Sequence, residues 1–139
     1  MGGMLSNRSI PSSIVIPVLA YPDISEAIRW LHDAFGFTLR LRIGDHRAQL
    51  NAGPGGAVVL RAADDEIELR SSVLVRVEAV DAHCSQARQN GARILREPAD
   101  HPYGERQYTA EDFAGHVWTF SQTIADVDPA TWGGTPGEF

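Results

Sequence analysis

The chain has 139 residues, 43% of them apolar and 22% charged, with a formal net charge of −6 and one cysteine. That length and composition suit a single globular domain whose core needs no disulfide or metal staple. The acidic balance argues against nucleic acid and membrane surfaces as partners, and a lone Cys84 excludes an intrachain disulfide.

Residues 1–13 are rich in Gly, Ser and Asn without periodicity and read as a flexible N-terminal arm. No signal pattern follows Met1, and no apolar run approaches the roughly 20 residues that span a bilayer, so a cytoplasmic location is expected. Residues 14–20 form an apolar, β-branched run, and Pro17 inside it marks an edge strand or bulge. After the turn Tyr21-Pro22-Asp23, either Asp23 or Ser25 can cap a helix. Ile24, Ala27, Ile28, Leu31 and Phe35 then recur at helical spacing, and Gly36 ends the helix.

Three short strands are expected at 37–43, 46–51 and 57–61, separated by Gly44-Asp45 and by Gly53-Pro54-Gly55-Gly56. The charged stretch 62–70 reads as a solvated connection. The same order follows again: a strand at 72–77, a weaker amphipathic helix carrying Val80, Cys84 and Ala87, and strands at 93–96, 105–109 and 116–122. Residues 125–139 form a Pro, Gly and Asp rich surface tail.

The chain therefore reads βαβββ twice, an α+β architecture with one module at 14–61 and a second at 71–122. A shift of 56 residues lays Tyr21-Pro22-Asp23-Ile24 on Val77-Glu78-Ala79-Val80 and Ile28 on Cys84. Two copies of one unit imply a pseudo-twofold arrangement, each helix covering the outer face of a curved sheet.

Two stretches carry a family resemblance over residues 14–122. One is Tyr21-Pro22-Asp23-Ile24 leading to Ala34-Phe35-Gly36-Phe37; the other is Tyr103-Gly104-Glu105-Arg106 followed by Asp112-Phe113-Ala114-Gly115-His116-Val117-Trp118. With these the chain resembles the glyoxalase, bleomycin-resistance and extradiol dioxygenase (vicinal oxygen chelate) superfamily, and its bleomycin-resistance-like branch in particular. The resemblance implies two βαβββ modules whose mixed sheets curl into a cup around a small-molecule ligand, with helices outside, in a homodimer. It also implies, for the metal-dependent members, ligands on the first and last strand of each module. Those places fall on Ile16, Ser72, Leu60 and Thr119 here, with a one-residue slip open for Leu60. Two aliphatic side chains and two hydroxyls are poor divalent-metal ligands, so no metal and no other cofactor is expected.

Within the resemblance, strand alternation turns Val73, Val75 and Val77 toward the helix and Ser72, Leu74 and Arg76 toward the cup. His116, Trp118 and Phe120 likewise take the helix side, leaving Val117, Thr119 and Ser121 inside. Arg76, Thr119 and Ser72 are thus expected at the ligand, and Arg76 is the sharpest of them because a guanidinium cannot shed its charge. Gln49, Arg106 and Tyr108 join them as ligand-binding candidates, with the facing of their strands left open; for Arg106 the alternative is to hold the loop before Asp112 through a bidentate pair. Arg40 and Arg42 are expected to share one face. If Arg76 does not meet a ligand, a salt bridge to a residue such as Glu78 or Glu68, or a rim position in water, is the alternative.

Of the five histidines, His32 and His83 read as solvated helix residues, and His116 as a buried residue steadied by Asp112. Candidate acid–base groups are His116, His101, Tyr108 and Glu105. Three functions compete. The first is metal-independent binding that sequesters an antibiotic or metabolite. The second is a lyase, isomerase or other enzyme using the cup, and the third is a structural or regulatory dimer with a filled cup.

Overall fold

Pro17 has no amide hydrogen to give to a ladder, and the first strand, β1 (Val18–Tyr21), begins just after it rather than at residue 14. Its carbonyl still accepts from the Val59 amide at 2.9 Å. A computed structural model describes Leu5 and residues 7–63 and 71–134, in two units that divide after Ser71. Each unit holds one four-stranded mixed sheet and one α-helix, an α+β arrangement.

In the first unit β1 leads into α1 (Ile24–Phe35), then β2 (Thr38–Ile43), β3 (Arg47–Asn51) and β4 (Ala57–Ala62). The strand order is β1-β4-β3-β2, with β1 parallel to β4 and the rest antiparallel. Asp23, rather than Ser25, caps α1: its carboxylate accepts from the Glu26 amide at 3.0 Å. Gly36 closes the helix at φ 79°, a left-handed conformation that favours glycine. The apolar stripe Ile24, Ala27, Leu31, Phe35 is buried, as are Ala48, Leu50, Val58 and Leu60 on the sheet. Of the expected connection at 62–70, Ala62 ends β4 and the Ala63 amide donates to Tyr21; residues 64–70 lie outside the described set.

The second unit repeats the order: β5 (Ser72–Arg76), α2 (Val80–Gln89), β6 (Arg93–Asp100), β7 (Glu105–Glu111) and β8 (Val117–Thr123), in the sheet order β5-β8-β7-β6. β6 is four residues longer than the 93–96 expected. Pro98 is tolerated there because β6 is an edge strand, and its pairing with β7 shifts register between Arg96 and Ala99. Helix α2 has no capping side chain of its own at Ala79. The Gln122 amide oxygen of β8 accepts from the Val80 amide at 2.9 Å instead. Cys84 is buried on the apolar side of α2, where burial pushes its thiol pKa up.

Both ends are tied to the units they join. In the arm expected to be loose, Pro11 is buried and the Ser13 hydroxyl donates to the Gly55 carbonyl at 2.8 Å. In the tail, the Ile124 and Ala125 amides both donate to the Gly104 carbonyl. Asp128 then caps a short 3-10 turn at Pro129–Trp132. Gly104 sits at φ 83°, and any β-carbon there would run into the Ala125 carbonyl, so the glycine of the Tyr103-Gly104 motif seats the returning tail. Among the described residues no helix is long and apolar enough to cross a membrane.

Candidate functional site

The face of the second sheet that points away from α2 is a row of polar side chains. Alternation puts Glu105, Gln107, Thr109 and Glu111 of β7 on this face. Their partners across the ladder are Thr123, Ser121, Thr119 and Val117 of β8. The buried Ser121 hydroxyl donates to Glu105 Oε1 at 2.7 Å and accepts from Gln107 Nε2 at 3.0 Å. Gln107 Oε1 in turn accepts from the Tyr103 hydroxyl at 3.0 Å, and Thr109 and Thr119 join their hydroxyls at 3.1 Å. Hydrogen bonds from Ser121 and then Thr123 lower the Glu105 pKa, with a smaller contribution from the Arg76 charge. On the neighbouring edge strand, Ser72, Leu74 and Arg76 are exposed, and Arg76 stands opposite Ser121. Arg76 forms no hydrogen bond or ion pair with any other described residue, Glu78 included; Glu68 lies outside the described set. Tyr103 also stacks on His101 and meets Trp132 edge-on, so an aromatic cluster continues from the Gln107 end of the row.

The other side of β7 packs against the helix, and two candidates belong there. Tyr108 is wholly buried: its hydroxyl lies 2.6 Å from His83 Nδ1, and its ring stacks on Phe120. Burial raises its pKa above the usual tyrosine range. Arg106 bridges Asp81 of α2 at 3.1 Å and Asp100 of β6 at 2.9 Å. Tyr108 and Arg106 therefore do not share a face with Arg76 and Thr119; they fasten α2 to its sheet. His83, expected in solvent, is drawn in by the same contacts and lies 4.2 Å from the Phe120 ring centroid. A large aromatic opposite Phe120, followed two residues later by Ala110 opposite Trp118, is the signal that could have faced this strand. It would also have pointed to Gln107 and Thr109, which sequence reasoning passed over.

The Asp112–Trp118 motif is a turn organised by one carboxylate. Asp112 is 4% exposed. Its Oδ1 accepts from the amides of Ala114 and His116, and its Oδ2 accepts from Trp118 Nε1, each at 3.0 Å. Asp112 thus reaches the main chain of His116 and the indole of Trp118. His116 is 1% exposed inside this turn, away from the polar row. Of the four acid–base candidates, only Glu105 stands in the row. Tyr108 is under the helix, His116 is in the turn, and His101 sits in the 101–104 loop, stacked on Tyr103.

Residues 13–120 match the model of the Glyoxalase/Bleomycin resistance protein/Dioxygenase superfamily. The chain belongs to this superfamily. It is 35% identical to TioX from Micromonospora sp. ML1, whose crystal structure superposes with a TM-score of 0.71 over 81% of this chain and all of that one. A glyoxalase/bleomycin resistance protein/dioxygenase from Nocardioides shares the fold at 20% identity and a TM-score of 0.63, covering 98% of this chain and 92% of its own. An uncharacterized protein of Mycolicibacterium smegmatis is 31% identical over 106 residues, which are 74% of this chain and 87% of the relative.

The hairpin registers show which residues of the two units are counterparts at the places where the resemblance implies metal ligands. The last hairpin of each unit closes on equivalent pairs, Asn51 with Ala57 and Glu111 with Val117. Val59, not Leu60, is therefore the counterpart of Thr119; Leu60 points under α1 and is fully buried. Pairing of Val18 with Val59 and of Leu74 with Thr119 makes Ile16 the counterpart of Ser72. Ile16, Val59, Ser72 and Thr119 supply no imidazole, carboxylate or thiolate, so the residues present do not fit a divalent metal.

In the first unit, a register shift between Leu39 and Leu41 breaks the alternation of β2. Arg40 and Arg42 consequently part company, contrary to expectation. Arg42 reaches Ser25 on α1 at 2.7 Å, whereas Arg40 hydrogen-bonds Gln49 on the opposite face. Gln49 is 6% exposed and donates to the Ser9 carbonyl at 2.9 Å.

Proposed function

We propose that the protein binds a small organic molecule bearing an acidic group, without a metal ion, on the face of the second sheet that points away from α2. Arg76 is the observation that carries this reading. It is exposed, permanently charged and unpaired among the described residues, and it shares its strand face with Leu74, which is 65% exposed. A cation and an apolar patch side by side suit an acid with a hydrocarbon or aromatic body. The neighbouring row fixes the Gln107 amide and the Ser121 hydroxyl in position, while the Glu105 carboxylate can accept only from a donor group on the ligand, away from its acid.

The test is a thermal-shift screen at pH 7 of aromatic and aliphatic carboxylic acids, phosphate esters and the corresponding amines, followed by calorimetry on the hits. Acids are expected to stabilise the protein. Arg76→Ala should weaken them about tenfold or more, the worth of one hydrogen bond to a charged group, and leave Tm unchanged. Stabilisation by amines alone, or affinity indifferent to Arg76→Ala, overturns the reading. Turnover of a bound acid would replace binding with catalysis.

A further inference from the structure

The chain's own N-terminal segment lies against part of the face of the first sheet that points away from α1. Arg40 Nη2 donates to the Arg8 carbonyl at 3.0 Å, and Gln49 Nε2 donates to the Ser9 carbonyl at 2.9 Å. The two donors are locked together, because Arg40 Nη1 also donates to Gln49 Oε1. Asn7 shapes the segment that they hold: its side-chain oxygen accepts from the Ser9 amide at 3.0 Å and its carbonyl from the Ile10 amide at 3.4 Å. Farther along, Pro11 is buried and Ser13 is fastened to Gly55. On this face Ala20, Gln49 and Val59 are each no more than 9% exposed. The recognition is of main chain: two successive peptide carbonyls are read by one guanidinium and one primary amide, and no side chain of Arg8 or Ser9 takes part.

We propose that residues 7–13 are a displaceable strap, an internal occupant of a carbonyl-reading site formed by Arg40 and Gln49. A ligand that presents two successive amide carbonyls, a peptide-like molecule, takes its place. Releasing the strap trades the hydrogen bonds that it accepts from the Arg40 guanidinium and the Gln49 amide for bonds to water, a net cost for each. The strap therefore stays down until an equivalent acceptor pair arrives, and its tether gives it the advantage of high effective concentration. This inference stands on the first sheet alone and does not depend on the reading of the second.

Trypsin cleavage after Arg8 in the full chain tests it, because the protease must take the carbonyl that Arg40 holds. The cut is expected to be at least about tenfold slower than in a free peptide of residues 7–13, since it requires local opening. Arg40→Met combined with Gln49→Leu should restore most of that rate while the cut after Arg88, in the second unit, stays unchanged. If the double substitution unfolds the chain, both cuts accelerate, and the wild-type protein decides. Millimolar capped peptide of residues 7–13 carrying Arg8→Gln, which trypsin cannot cut there, should speed the wild-type cut several-fold by displacing the strap. Cleavage after Arg8 at the free-peptide rate, or a rate indifferent to the competitor, overturns the proposal.

Discussion

Asp112 offers the clearest stability prediction. Asp112→Ala removes the acceptor of three donors, two of which, the His116 amide and the Trp118 indole N–H, are buried. A hydrogen bond to a charged group is worth about 1.5–3 kcal/mol, and a buried donor left without its acceptor costs about 1–3 kcal/mol. Because the losses share one turn they do not simply add, and the expected cost is about 3–5 kcal/mol. For a chain of this size that lowers Tm by about 10–20 °C. Asp112→Asn separates the contributions. It keeps Oδ1 for the Ala114 and His116 amides but sets an amide N–H against the Trp118 N–H, so about 1.5–3 kcal/mol should be lost. Urea unfolding of both variants measures the difference. A loss under about 1 kcal/mol for Asp112→Ala, or an Asn variant no better than the Ala variant, would refute the assignment of the carboxylate as the organiser of this turn.

Tyr108→Phe should cost about 1–2 kcal/mol through loss of the bond to His83, with ligand affinity unchanged because the hydroxyl lies under α2. Reduced affinity at unaltered stability would contradict this. The Glu105 carboxyl should titrate below the ordinary glutamate value of about 4.5, chiefly because the Ser121 hydroxyl donates to it. A depressed folded pKa means that its contribution to stability is present above the ordinary value and fades as the pH falls through the lower folded one. Ser121→Ala should move the Glu105 titration upward in a carbon-detected NMR experiment and lessen the acid loss of stability; an unmoved titration would show that Ser121 does not set it. Elemental analysis should find no stoichiometric zinc, nickel, iron or manganese, and one tightly held equivalent per chain would refute metal-free binding.

Much of the fold was legible because it rests on local rules. The apolar spacing from Ile24 to Phe35, an acidic cap at Asp23, a left-handed glycine at Gly36 and glycine-rich turns between short β-branched runs place the elements of the first unit within a few residues. The repetition of that order identifies the architecture. The chemistry at Ile16, Ser72 and Thr119 was equally plain, since a hydrocarbon or hydroxyl is a poor metal ligand wherever its strand turns. What the sequence left open were relations between strands. Tyr108 and Arg106 alternate correctly in either facing, and only the register that sets Tyr108 opposite Phe120 and leaves Arg106 to bridge Asp81 and Asp100 turns them toward the helix. One extra residue near Arg40 separates it from Arg42, an irregularity no periodicity announces. The cap of α2 comes from Gln122, 42 residues away, and the partners of Arg8 and Ser9 come from strands 32 and 40 residues on. Short-range spacing determines which helices and strands form; which side chains meet depends on pairings distant in sequence, and those only the tertiary structure decides.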